Sequence, residues 1–87
     1  MQGTFRVVDG GRGITANAEF ECRHDRSEFA TLIENIHKLI WVQSCDSTKT
    51  SNGGRIRIHF KDLPPNTAKT ARITVVITLE MAGLTKE

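Results

Sequence analysis

The sequence predicts a small α+β domain, a two-layer ββαββ sandwich in which one helix covers a four-stranded sheet. Alternating apolar and polar residues near both ends, and a helical pattern between them, predict this fold. The chain has 87 residues, which fits a single compact domain, 1–87, with one modest core. Its 38% hydrophobic and 25% charged residues are typical of a folded protein.

Two alternating runs in the first third predict a β-hairpin. They lie on either side of the glycine-rich segment 9–13, which suits a hairpin loop. An anion site in this loop is the weaker alternative, because the loop precedes a strand rather than a helix. The inward positions are Phe5, Val7, Ile14, Ala16, Ala18, Phe20 and Cys22.

The next segment predicts one amphipathic helix, from about 26 to 43. Asp25 and Glu28 have the spacing of a capping box, and Ser27 is a competing N-cap. Apolar residues then recur at helical spacing: Phe29, Leu32, Ile33, Ile36, Leu39 and Ile40.

The second half predicts a mobile connection and two more strands. Segment 44–54 is polar and ends in Asn52-Gly53-Gly54, which favours a loop. A strand follows over 55–61 and stops at a proline pair. From 71 to 81 an almost unbroken period of two predicts the longest strand; its apolar members are Ile73, Val75, Ile77, Leu79 and Met81.

A right-handed crossover through the helix would place the last strand beside the first in parallel, which gives the 2-1-4-3 order of a β-grasp-like topology. This comparison concerns topology alone, and the residues identify no family. The chain ends without the Gly-Gly of conjugated ubiquitin-like modifiers, so modifier chemistry is not indicated.

A row of basic side chains on the outward face of strand 55–61 indicates an alternative nucleic-acid site. Residues two apart stand about 7 Å apart, close to the spacing of successive phosphates. The candidate residues are Arg55, Arg57, His59 and Lys61, widened by Arg72 on the last strand. Exposed aromatic residues for base stacking are not expected, because the phenylalanines fall on core faces. A solvated, charged edge is the simpler interpretation.

Acidic residues on the second strand affect this interpretation. Glu19 and Glu21 face outward, so the 2-1-4-3 order would give one acidic and one basic edge. If strands 14–22 and 55–61 were neighbours instead, Glu19 and Glu21 would neutralise Arg57 and His59 across the sheet.

Catalysis and cofactors are not predicted. The residues capable of binding metal are Cys22, His24, His37, Cys45 and His59, of which only Cys22 and His24 are close in sequence. A small buried thiol is the leading interpretation of Cys22. No nucleophile is paired with a base in the sequence, so we expect a protein that is not an enzyme and has no metal or cofactor.

The leading functional hypothesis is a non-enzymatic protein-binding module, an inhibitor or regulatory adaptor acting by surface occlusion or strand addition, with self-association as a homo-oligomer an open alternative. Trp41 sits beside His37 on the flank of the predicted helix and is a candidate interface anchor. The other candidate contacts are Arg55, Arg57 and Lys61. Small size is typical of accessory proteins of phages and mobile elements.

The expected location is the cytoplasm, without a membrane partner. The longest apolar run is far shorter than the roughly 20 residues of a membrane span, and two cysteines are too few for a disulfide framework.

Overall fold

The computed structural model describes residues 2–10, 13–21 and 27–87, which form a five-stranded mixed sheet and two helices. The elements in chain order are β1 (Gln2–Gly10), β2 (Gly13–Glu21), α1 (Ser27–His37), β3 (Val42–Lys49), β4 (Gly53–Phe60), α2 (Pro65–Met81) and β5 (Leu84–Lys86). The strand order across the sheet is β3-β4-β2-β1-β5. The predicted α+β class is confirmed, whereas the prediction of four strands and one helix is wrong.

One hydrophobic core lies between the helices and one face of the sheet. Alternate residues of β1, β2 and β4 point into it, which confirms the period-two pattern in these three strands. The small Ala16 and Ala18 leave room for the helices near the middle of the sheet. The helices contribute Leu32 and Ile36 from α1, and Ala71, Val75 and Leu79 from α2.

The prediction of a strand over 71–81 is wrong, because these residues form the C-terminal part of helix α2. On a helix, residues four apart share one side, whereas residues two apart lie on nearly opposite sides. An apolar residue at every second position therefore also gives a helix with two opposite apolar sides. The core-facing set is fully buried, while Ile73, Ile77 and Met81 point outward. Pro65 is tolerated at the start of the helix, because the backbone N–H that proline lacks would have no hydrogen-bond partner inside the helix at that position.

The helix predicted over 26–43 is too long, because α1 ends at His37. The Leu39 N–H donates to the Ile36 oxygen at 3.1 Å, three residues back rather than four, and this bond tightens the final turn. Leu39 therefore continues the apolar pattern without continuing the helix.

The mobile connection predicted over 44–54 is wrong, because this segment contains β3 and its hairpin turn to β4. The Thr50 N–H donates to the Gly53 oxygen at 3.0 Å, and the Gly53 N–H donates to Thr50 Oγ1 at 3.1 Å. β3 is an edge strand and is exposed along most of its length, so only Val42 and Cys45 are partly buried and the sequence does not alternate.

The β-grasp-like order 2-1-4-3 is also wrong. β2 pairs with β4, which puts Glu19 opposite Arg55 and Asn17 opposite Arg57. β1 does have a parallel neighbour, but that neighbour is β5, which follows α2. The sheet therefore has one face against the helices and one face that no described element covers.

Candidate functional site

The uncovered side of the sheet, which we term the polar face, carries side chains from four neighbouring strands. Pairing of β3, β4, β2 and β1 aligns these side chains in rows, and the central row joins Asp46, Arg57, Asn17 and Arg6. The charged and amide side chains of the polar face are Arg6, Asn17, Glu19, Asp46, Arg55, Arg57 and His59. The predicted outward orientation of Arg55, Arg57 and His59 is confirmed, because the first two are exposed and His59 is partly exposed.

Positive and negative groups on the polar face are interleaved. Most basic groups of the polar face lie next to a carboxylate from a neighbouring strand or from Glu87, which follows β5. The row of basic residues predicted to bind phosphates is therefore largely neutralised. Exposed pairs of this kind add little to stability. The contacts are Arg55 Nε–Glu19 Oε1 at 3.3 Å, Arg6 Nη2–Glu87 Oε2 at 2.8 Å and His59 Nε2–Asp46 Oδ2 at 3.5 Å.

Arg57 differs from its neighbours because its partner is neutral. Its Nε donates to Asn17 Oδ1 at 3.1 Å, and no ion pair of Arg57 occurs within the described residues. A shallow depression of about 450 Å³ lies beside it, also lined by Asp46 and Thr48. The guanidinium of Arg57 can therefore bind a carboxylate of a ligand on this face.

The remaining basic residues of the predicted nucleic-acid site lie elsewhere. Arg72 belongs to α2 rather than to a strand, and its Nη1 lies 3.6 Å from Asp9 Oδ2. With Lys61 and Lys69 it lines a separate depression of about 370 Å³ near the start of α2. Arg72 does not widen the row on the polar face, so the five predicted residues form two groups.

The outer edge of β3, which we term the β3 edge, is a row of backbone groups. In an antiparallel pair, hydrogen-bonded and non-hydrogen-bonded positions alternate. Because Thr50 bonds to Gly53, the register directs the backbone of Thr48 and Asp46 toward β4. The N–H and C=O groups of the intervening residues, Cys45, Ser47 and Lys49, therefore point away from the sheet.

Cys45 places a half-buried thiol at the β3 edge. Burial raises the pKa of this thiol, and the negative charge of Asp46 raises it further. The thiol is consequently held in its protonated, weakly nucleophilic form at neutral pH. Sequence reasoning noted Cys45 only as a potential metal ligand and did not place it on a strand.

We expect Cys45 to react with iodoacetamide more slowly in the folded protein than after unfolding in urea, because unfolding restores the ordinary pKa. In a Cys22→Ser background, intact-mass spectrometry at pH 8 measures both rates. Asp46→Asn should accelerate the folded reaction, since it removes the nearby negative charge. Equal rates in the folded and unfolded protein would contradict this assignment.

Trp41 lies in the turn between α1 and β3 rather than on a helix. Its side chain is partly buried against the core, and its backbone oxygen accepts the Lys61 N–H at 2.8 Å. This places Trp41 next to the end of β4. Its role as an interface anchor stays a prediction.

Metal and membrane features are not found in the part of the chain that the structure describes. Over residues 2–10, 13–21 and 27–87, no group of three or more histidine, cysteine, aspartate or glutamate side chains could hold a metal ion. No helix in the same ranges is long and apolar enough to cross a membrane. The predictions for Gly11, Arg12, Cys22, His24 and Asp25 lie outside the described residues.

Comparison of this chain with known proteins finds similarity to a solved structure but to no protein family model. No family model and no curated protein matches the chain. A crystal structure of the essential ribosomal processing protease Prp from S. aureus, in complex with a covalently linked product peptide, is 16% identical and has a TM-score of 0.49. The similarity covers 98% of this chain and 99% of that one.

This comparison corrects the predicted function. The similar structure is a protease, so the expectation of a non-enzymatic inhibitor or adaptor is not retained, and the expectation that the chain is not an enzyme is not carried forward. The low identity and TM-score assign no activity or site residue to this chain. The function is therefore argued from the geometry of the described residues.

Proposed function

We propose that this chain holds a polypeptide substrate in extended conformation, with the backbone of the substrate paired to the β3 edge. The observation that supports this proposal is the row of outward N–H and C=O groups at Cys45, Ser47 and Lys49, on a strand that has no neighbour on that side among the residues the structure describes. An extended segment satisfies such groups by forming the next strand of the sheet.

The side chains along the β3 edge give the bound segment a preferred pattern. On the helix side, the bound segment would lie beside the small side chains of Cys45 and Ser47 and near α1, which favours an apolar side chain there. On the polar side, the exposed carboxylate of Asp46 favours a basic side chain. Because side chains alternate along a strand, we expect a segment in which apolar and basic residues alternate.

The charge pattern makes this proposal better supported than a nucleic-acid partner. A phosphate backbone requires a continuous positive surface, whereas Arg55 is paired with Glu19 and His59 with Asp46. Backbone pairing depends on an open strand edge and not on net charge.

Ser47→Pro is expected to weaken binding of an extended peptide at least tenfold, because proline removes an N–H that points toward the incoming strand. Proline is tolerated at such a position of an edge strand, so the free energy of unfolding should change little. Ser47→Ala is the matched control: it also removes the hydroxyl group but keeps the N–H.

The probes are peptides selected from a random 12-residue phage library on the wild-type protein. Isothermal titration measures their affinity for wild type, Ser47→Ala and Ser47→Pro, and urea unfolding monitors stability. Peptides that bind Ser47→Pro as tightly as wild type would contradict the proposal. Mass spectrometry of the same mixtures shows whether a bound peptide is also cleaved, which tests its role as a substrate.

A further inference from the structure

The outer side of α2 carries a line of exposed apolar residues. Ile73 and Ile77 are each 51% exposed, and Met81 is 85% exposed. Their spacing of four residues aligns them along the helix, on the side opposite to its buried residues. We term these three residues the α2 stripe. A helix that is apolar on two opposite sides is typically covered on both.

The threonines beside the α2 stripe do not make this side strongly polar. Their hydroxyl groups donate to backbone oxygens of the same helix, so these donors are already satisfied. The bonds are Thr70 to Asn66 at 3.3 Å, Thr74 to Thr70 at 2.9 Å and Thr78 to Thr74 at 2.8 Å. A surface that packs on this side would therefore meet few donors in need of a partner.

We propose that the α2 stripe is covered by the α2 stripe of a second copy of this chain, in an antiparallel pair with two-fold symmetry. In such a pair each surface meets itself in reverse order. An axis level with Val75 places Ile73 of one copy against Ile77 of the other, twice. This dimer goes beyond the proposed function and does not depend on it.

Charge supports the antiparallel direction. Lys69 and Glu80 are exposed on the outer side of α2, near its two ends. They lie on the same flank of the α2 stripe, since Glu80 is eleven positions, or almost exactly three turns, beyond Lys69. Their midpoint falls within one residue of Val75, so the axis that pairs the isoleucines also brings Lys69 of one copy to Glu80 of the other. A parallel pair would instead oppose Lys69 to Lys69.

The surface area that two α2 helices can bury against each other limits the affinity of the dimer. A helix of 17 residues is about 25 Å long, and one helix pair buries less than the roughly 1,200 Å² of a standard stable interface. The groove of about 550 Å³ between α1 and α2 adjoins the stripe at Met81 and adds Leu39 and Ala82. We therefore expect a weak dimer whose population rises with concentration.

Ile77→Glu is expected to weaken the dimer strongly, because it places two carboxylates beside the two-fold axis in an apolar contact. Sedimentation equilibrium from about 10 µM to about 1 mM measures the dissociation constant, which should rise at least tenfold. Val8→Glu is the control: Val8 is 44% exposed on the opposite side of the sheet, and this variant should associate like wild type. Circular dichroism confirms that each variant is folded.

A charge exchange tests the same register without altering the apolar residues. Lys69→Glu and Glu80→Lys should each weaken association, since each opposes like charges across the axis, and the double variant should restore it. A wild-type protein that is monomeric up to about 1 mM would overturn the proposal. So would a dimer that neither Ile77→Glu nor the single charge changes weaken, because a different surface would then form it.

Discussion

Leu79→Ala is expected to lower the free energy of unfolding by about 2–5 kcal/mol, whereas Ile77→Ala should lower it by less than about 1 kcal/mol. Leu79 is fully buried on the core side of α2, so shortening it leaves a cavity that neighbouring side chains fill only partly. Ile77 is 51% exposed and loses few contacts when it is shortened.

The comparison of these two variants separates a helix from a strand over 71–81. On a strand, Ile77 and Leu79 would share one buried face, and both substitutions would be costly. On a helix they lie on nearly opposite sides. Urea unfolding monitored by circular dichroism measures both changes, at a concentration low enough to keep the protein monomeric. Equal losses of several kcal/mol would contradict the helical assignment.

The sequence alone predicts the parts of the fold in which one face of a strand is buried. β1, β2 and β4 combine an apolar face with a polar face, and their alternating pattern is sufficient to identify them. α2 could not be recognised in this way, because its apolar residues are compatible with either a period of two or a repeat of four. Its β-branched residues also favour a strand, and packing against the sheet outweighs that preference.

The site could be predicted only in part, for a different physical reason. That Arg55, Arg57 and His59 share a face follows from their spacing on one strand. Which carboxylates they meet depends on strand order, a property of long-range pairing that local patterns do not contain. The β3 edge was missed because Val42 and Cys45 are the only apolar residues of β3, too few for an alternating pattern, although Asn52-Gly53 is a recognised signal for a hairpin turn.

Phe20→Ala is expected to lower the free energy of unfolding by about 3–5 kcal/mol. Phe20 is buried at the end of β2, and its ring centroid lies 5.1 Å from that of Phe29, with the ring planes inclined by 44°. This contact joins α1 to the sheet, so its loss removes both buried area and an aromatic pair. Phe29→Ala should cost less, because Phe29 is only partly buried.

Gly54 provides a test that this loss comes from the aromatic contact itself. A β-carbon at Gly54 would lie 2.5 Å from Phe29 Cε2 and 3.2 Å from Phe20 Cζ, so Gly54→Ala alone should cost about 1–3 kcal/mol by overpacking. In the Phe20→Ala background, the Phe29 ring can move into the vacated space and away from the new methyl group. The double variant should therefore be more stable than the sum of the two single losses implies. Additive losses would show that Gly54 is constrained by its backbone and not by the two rings.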